Sequence, residues 1–304
     1  MVIRHNIPVY EICWLNYAQG GVIGTLYEPE NKEELHRLCC MLYSEHKSFE
    51  IIGHTSNVYF TPSFNANIIV STRKVRFWQI YDDYIYAECG VSVRQLSREM
   101  VEKGIQGFEG LVDLPGTVAA SVYGNASCFA CSINSLLKTA EILLPSGDVV
   151  EMSPEELKLE QRSSAIKRGE VEGVILSVRL KKEVGDPLSL KRLAEVNHIK
   201  RKTTQPSPKD NLGSIYKGEQ KRTILGYVIF AAAKIYRGIL KTFGIDLPSI
   251  SIVLFMLGKK SLIPYVSDWN RFIWKDKESH DAFWEYHRIH QLLFTNNEFE
   301  IEIK

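Results

Sequence analysis

Residues 113–121, Asp113-Leu114-Pro115-Gly116-Thr117-Val118-Ala119-Ala120-Ser121, are small, rigid and almost uncharged. A backbone built this way can approach a ligand closely, because no long side chain stands in its path. Strands are expected on both sides of it. Upstream they cover residues 68–70, 75–78 and 84–89; downstream they cover 139–144, 149–152 and 174–180, the last with clear alternation. Pro145-Ser146-Gly147-Asp148 carries the residues of a hairpin turn. A helix is expected over 93–103, and Ser153-Pro154-Glu155-Glu156 opens another with a capping box and a proline at its first position.

Further toward the N-terminus the pattern is strand, helix, strand. Residues 22–27 are β-like, and 33–44 have helical periodicity behind an Asn31 cap with Glu34 three positions on. Residues 49–52 form a short apolar strand that ends in Gly53-His54-Thr55-Ser56-Asn57. Such a loop can present backbone N–H groups to a phosphate, although ordinary turns use the same residues. Toward the C-terminus the composition breaks at Asp186-Pro187. Helices are expected over 188–201, 223–240 and 278–293, and strands over 251–255, 271–274 and 298–303. The architecture expected is α+β in three pieces, 1–74, 75–185 and 186–304.

The chain has 304 residues, 45% of them hydrophobic and 24% charged, which is the profile of a soluble globular protein and excludes a disordered chain. The net charge of +1 argues against a whole-molecule polyanion binder. Its distribution is uneven: residues 188–241 hold twelve Lys or Arg against Glu195, Asp210 and Glu219, a local charge of +9 that leaves about −8 for the remainder. This excess marks the region for an anionic ligand or for a solvated helical face. Aromatics are scarce in it and no RNA- or DNA-binding motif frames them, so nucleic acid is not the expected partner. No spanning segment or export signal is expected, which makes a cytoplasmic protein with reduced cysteines the expectation. Cys128-Phe-Ala-Cys131 has redox or metal spacing, but no second pair stands at zinc-ribbon distance; His280, His287 and His290 likewise lack a third ligand, so no metal is expected.

The order of short motifs resembles the UDP-N-acetylenolpyruvoylglucosamine reductase (MurB) family along nearly the whole chain. Asn16, Gly20-Gly21 and Glu28-Pro29 look like its entry motif, and 53–57 stands at its glycine-rich Ser-Asn loop. Ala87-Glu88-Cys89-Gly90-Val91-Ser92 is similar to its Ala-Gly-Ala-Gly-Val loop, and 107–126 to its Gly-x-Glu, Pro-Gly-x-Val and Asn-Ala series. Gln161-Arg162-Ser163-Ser164, Gln205-Pro206, Gly213-Ser214-Ile215-Tyr216-Lys217 and Glu298-Phe299-Glu300-Ile301 follow in register.

The resemblance implies a two-part FAD-binding domain of the PCMH, or vanillyl-alcohol-oxidase, type with a smaller C-terminal α+β substrate domain. It implies a cytoplasmic, monomeric flavoprotein oxidoreductase of peptidoglycan and cell-wall precursor synthesis, with NADPH as hydride donor and a nucleotide sugar as substrate. On its motifs Gly53, His54, Thr55, Ser56, Asn57, Gly90, Pro115, Gly116, Thr117, Ser121 and Asn125 would bind FAD. Arg162 would stabilise an enolate, Ser214 would deliver a proton, Glu300 would complete the electrostatics, and Lys217 and Gln205 would touch substrate. Taken singly, Arg162 flanks a capped helix, Ser214 is a turn hydroxyl and Glu300 belongs to the solvent face of an alternating strand; the family order is what assigns them roles. The departures are His54 and Thr55 for loop glycines, Glu88 and Cys89 for small residues, Gln161 for the family's tyrosine, and Gly218-Glu219 after the lysine. Side chains in the phosphate loops would crowd a pyrophosphate, and Glu88 would place negative charge near it. A catalytically silent or repurposed relative, keeping the fold to bind a nucleotide sugar or a partner, is therefore the second reading.

Overall fold

The computed structural model describes residues 1–17 and 20–304, and the chain divides into two compact units. The first comprises Met1–Ile12, Gly21–Ser56 and Asn65–Thr204. It holds a four-stranded sheet in the order Val2–Pro8, Val22–Glu28, Ala66–Ser71, Glu50–Ile52, with the first pair antiparallel and the others parallel. The helix Lys32–Ser44 starts where Asn31 Oδ1 accepts from the Glu34 N–H at 2.9 Å, the cap read from the sequence. Its Leu35, Leu38, Cys39 and Leu42 recur at helical spacing and pack with Val70, Val75, Leu143 and Leu176.

A second, wholly antiparallel sheet runs Val149–Met152, Leu137–Leu143, Val174–Lys181, Tyr84–Glu88, Trp78–Ile80. The helices Val93–Glu102 and Val118–Tyr123 cover it, burying Leu96, Met100, Val118 and Val122 against Ile85, Ala140 and Val178. The unit continues past the break at 186. Helix Pro187–Thr204 belongs to it, with Leu190 and Ala194 in the same core and Asn197 Nδ2 donating to Glu109 O at 3.2 Å. A change in composition thus marks the start of a helix rather than the edge of a compact unit. The basic stretch 188–241 is accordingly divided between the units at Thr204.

The second unit comprises Cys13–Gly20, Asn57–Phe64 and Gln205–Lys304. It has helices Ile224–Thr242, Ser249–Met256 and Ser279–Leu293, a hairpin of Val266–Asp268 with Arg271–Phe272, and a parallel pair of Glu302–Ile303 with Val58–Tyr59. Its core is aromatic: Trp274, Tyr216, Tyr286, Phe272 and Phe283 are almost fully buried. Rings of this size bury much apolar area per residue and stack in preferred geometries.

Several expectations fail locally. Of 75–78 only Trp78 is strand, within Trp78–Ile80, and of 271–274 only Arg271–Phe272. The run 251–255 is helical, within Ser249–Met256; a continuous apolar run has no period to separate strand from helix, and the flanking Pro248 and Gly258 suit helix ends. The capping box at 153 forms, with Ser153 N–H on Glu156 Oε2 at 2.7 Å and Glu156 N–H on Ser153 Oγ at 3.2 Å, but only a turn follows, because Lys158 takes a φ of 44°. Of 298–303, only Glu302–Ile303 is strand, although Phe299 bridges Tyr216.

Candidate flavin-binding and catalytic site

In the first unit the two loops singled out in the sequence lie against each other. A Cβ on Gly53 would come within 2.6 Å of Thr117 Oγ1, and one on Gly116 would come within 3.4 Å of Ser56 Oγ. Segment 53–56 therefore rests on 116–117, with the Thr117 and Ser56 side chains each filling the space beside a glycine. Gly116 has a φ of 122°, which only glycine adopts without strain. Thr117 is buried and caps helix Val118–Tyr123 by accepting from the Ala120 N–H. The loop 116–119 is held from below, with Val93 N–H on Gly116 O at 3.1 Å and Val118 N–H on Val91 O at 2.9 Å. Among the described residues, the backbone N–H groups of Ser56, Gly116 and Thr117 donate to no protein acceptor.

The departures from the family pattern fall differently from what the sequence implied. Thr55 adopts a left-handed φ of 55°, is buried, and donates through Oγ1 to Ile12 O at 2.9 Å. Its side chain thus braces the loop from within. Glu88 is buried with its carboxylate on the Phe77 N–H at 2.9 Å; burial pushes its pKa up, partly offset by that hydrogen bond. Cys89 lies in the core beside Leu35 and Val75. Gly90 is glycine because a Cβ there would stand 1.9 Å from Thr72 O and 2.6 Å from Val75 O, so its bare face meets protein backbone.

A residue not found from the sequence organises the first loop. Arg73 donates through Nε to Gly53 O at 2.9 Å and through Nη2 to Thr55 Oγ1 at 3.3 Å and to Ile12 O. A guanidinium fork can hold several carbonyl oxygens at once, which leaves the loop's N–H groups facing away from it. The only signal in the sequence was an arginine following an apolar strand, which is too common to single out.

Asn125 and Arg162 are also brought together. Asn125 Nδ2 donates to Glu160 O at 2.7 Å, and Arg162 donates to Ser127 Oγ at 3.2 Å and Ser127 O at 3.3 Å. Both residues are left-handed, with φ of 40° and 56°. Strain of this kind costs roughly 1–3 kcal/mol per residue and persists only where surroundings impose it. Asn125 Oδ1 is buried without a hydrogen-bond partner among the described residues. Ser121 is buried in the helix below, and Pro115 precedes the left-handed Gly116. The hairpin carrying Cys128 and Cys131 pairs Ser127 with Ser132; all six cysteines are free thiols, and no cluster of three or more metal-ligating side chains occurs among the described residues.

The second unit gathers Asn57, Ser214, Lys217 and Glu300. Glu300 N–H donates to Ile215 O at 2.7 Å, and Lys217 N–H donates to Glu298 O at 2.9 Å, so 213–217 runs antiparallel beside 298–300. On the other side Asn57 Nδ2 donates to Glu300 O at 3.0 Å and Glu302 N–H to Asn57 O at 2.8 Å. Asn270 clamps the first segment, accepting from Ile215 N–H and Tyr216 N–H and donating back to Tyr216 O. Asn270 too went unrecognised in the sequence, where it reads as a hairpin turn residue. Lys217 Nζ is paired with Glu298. Gln205 begins this unit, and the entry motif 16–21 spans Ala18 and Gln19, which lie outside the described residues; Asn16 itself donates to Asp210 Oδ1 at 3.1 Å.

Known proteins share sequence and fold with this chain. Residues 25–153 match the model of the FAD binding domain family. UDP-N-acetylenolpyruvoylglucosamine reductases of Caldicellulosiruptor saccharolyticus and Clostridium tetani are each 27% identical to this chain, over 65% and 67% of its length. The crystal structure of MurB from Thermus caldophilus superposes with a TM-score of 0.67 over 99% of both chains, at 20% identity, and so shares the fold. The chain is thus similar in sequence to UDP-N-acetylenolpyruvoylglucosamine reductases and shares the MurB fold. The matched stretch spans 64% and 66% of the lengths of those two curated relatives. The fold is mixed α+β and includes the match to the FAD binding domain.

The described residues fit FAD. Unsatisfied backbone N–H groups at Ser56, Gly116 and Thr117 suit a pyrophosphate, the Gly116 surface permits close approach, and the orphan Asn125 Oδ1 offers an acceptor to a ring or ribose N–H or O–H.

Proposed function

We propose that this chain is an FAD-dependent reductase that uses NADPH to convert UDP-N-acetylenolpyruvoylglucosamine, or a close analogue, to the saturated muramate-type product in cell-wall or surface-polysaccharide precursor synthesis. The observation that carries this reading is the paired loop 53–56 and 116–117, with its open N–H groups and left-handed glycine, inside a matched FAD binding domain. Ser56, Gly116, Thr117 and Asn125 would hold the cofactor, and Gly53, His54, Thr55, Asn57, Gly90, Pro115 and Ser121 would shape its surroundings. Bound FAD supplies hydride chemistry.

Reduction of an enolpyruvyl double bond leaves negative charge on the carbon beside the carboxylate and on that carboxylate. The guanidinium of Arg162 would neutralise that charge, held by Ser127 in a fixed direction. Ser214 would give its hydroxyl proton to the carbon, and Glu300 would set the local field. A serine is a weak acid in water, so this role requires a site that stabilises its alkoxide. Lys217 and Gln205 would meet the nucleotide sugar.

The test is spectroscopic. The purified protein should carry or take up flavin, be bleached anaerobically by NADPH and regain its colour on addition of UDP-N-acetylenolpyruvoylglucosamine. No flavin uptake would instead establish a silent relative, and bleaching without recovery would transfer the proposal to a different oxidant.

A further inference from the structure

The helix Ile224–Thr242 is unusual for a water-exposed element. Only Gly226 and Ala233 of its nineteen residues are fully buried. Ile224, Val228, Ala231, Ile235 and Ile239 recur at three- and four-residue spacing and so share one face, and that face is turned to solvent: Ile224 is 86% exposed, Ile235 68% and Ile239 51%. The apolar surface continues through Phe243, 76% exposed, and onto helix Ser249–Met256, whose Phe255 stacks on Tyr236 at 6.4 Å. A contiguous apolar patch of this kind marks an interaction site.

Its electrostatic frame is mainly cationic. Residues 221–260 hold seven Lys or Arg and a single carboxylate, Asp246, which is itself engaged by Arg237 at 2.8 Å and Lys241 at 3.3 Å; Lys259 pairs outside this stretch with Glu285 at 2.6 Å. Lys234, Arg237 and Lys241 succeed one another at three- and four-residue spacing along one flank of the apolar face. Lys260 lies over the Phe255 ring at 4.4 Å. A second copy of the chain does not complement this frame. Pairing the faces across a two-fold axis would bring the cationic flanks of both copies together, with no acidic residue in the helix to meet them.

An anionic bilayer meets both features. Apolar side chains sink to the boundary between headgroups and acyl chains, aromatic rings such as Tyr227 and Tyr236 suit the interface, and ammonium and guanidinium groups meet lipid phosphates. Among the described residues no helix is long and apolar enough to cross a membrane, so the helix would lie on the surface. We propose that the outward face of helix Ile224–Thr242, with Phe243 and Phe255, docks this protein on an anionic phospholipid surface. This proposal does not depend on the reductase reading.

The test is sedimentation of the full chain with vesicles of phosphatidylcholine containing about one third phosphatidylglycerol, against phosphatidylcholine alone. The protein should partition onto the anionic vesicles, and less at high salt. The paired substitution Ile235→Asp with Ile239→Asp should reduce partitioning at least about tenfold. Those side chains are solvent-exposed, and an unchanged circular dichroism spectrum would establish an intact fold. A second variant, Lys234→Gln with Lys241→Gln, leaves every apolar side chain in place and should weaken binding to the anionic vesicles about fivefold per lysine. Failure of the wild-type chain to sediment with anionic vesicles overturns the proposal. So does a concentration-dependent dimer that the isoleucine substitutions dissociate while vesicle binding is absent, which would assign the face to a second copy.

Discussion

The backbone N–H of Glu300 donates to the carbonyl of Ile215 at 2.7 Å, across 85 positions of sequence, and sets the terminal segment directly beside the loop that carries Ser214. Asn57 holds the far side of the same segment through the Glu300 carbonyl. Three distant parts of the chain are thereby locked into one small scaffold within the second unit. If Ser214 is the proton donor, its action depends on that scaffold, because a serine hydroxyl acts as an acid only in a fixed, stabilising position.

Ser214→Ala is expected to leave NADPH reduction of the flavin unchanged while slowing its reoxidation by substrate by about 10²–10⁴-fold. Anaerobic stopped-flow absorbance separates the two half-reactions. Equal reoxidation rates for variant and wild type would remove Ser214 from the chemistry.

Arg73→Met is expected to weaken flavin binding by about tenfold or more, since it leaves the Gly53 carbonyl without its donor, takes one of two donors from the Ile12 carbonyl and frees the loop they orient. Arg73→Lys should recover only part of the loss, because an ammonium group cannot reproduce the guanidinium fork. Titration of the apoprotein by flavin fluorescence reads both variants.

Gly90→Ala is expected to destabilise the first unit by about 3 kcal/mol, as the added methyl would collide with two backbone carbonyls rather than with a yielding side chain. Chemical denaturation followed by circular dichroism measures this. A variant as stable as wild type would show that the Thr72 to Val75 turn can move aside.

His290 gives the second unit a pH dependence. The ring is buried between Tyr216 and Phe294, and burial pushes its pKa down to about 4, opposed in part by the hydrogen bond with Asn297 Oδ1 at 2.6 Å. Its folded pKa lies below the unfolded value of about 6.5, so the unfolded chain binds the extra proton between those values. Stability is therefore complete above about pH 6.5 and declines as the pH falls toward 4, by about 3 kcal/mol in all. His290→Gln, which keeps a neutral donor, should flatten this acid limb. Urea denaturation series at several pH values check the slope, and an unaltered slope would assign the acid sensitivity elsewhere.

Much of the molecule was legible in the residues. The cap at Asn31, the helix it opens, the alternating strand at 174–181 and the glycine at 116 each depend on local chemistry, and local chemistry is written in adjacent residues. The run at 251–255 was not legible, because unbroken apolar sequence has no period, and the helix Pro187–Thr204 was assigned by composition to a unit in which its packing does not lie. Arg73 and Asn270 could not be found at all: each works through backbone carbonyls or N–H groups that any residue could have supplied.

The order of motifs was enough to point to the reductases this chain is similar to and to the residues worth asking about, since turn, cap and glycine requirements constrain positions one by one. Only the tertiary structure decided that Glu88 and Cys89 turn inward while Thr55 braces its loop, and that Ile224, Ile235 and Ile239 of helix Ile224–Thr242 face solvent rather than core. Which way a side chain points depends on what packs against its element from elsewhere in the chain, and that information is not carried by neighbouring residues.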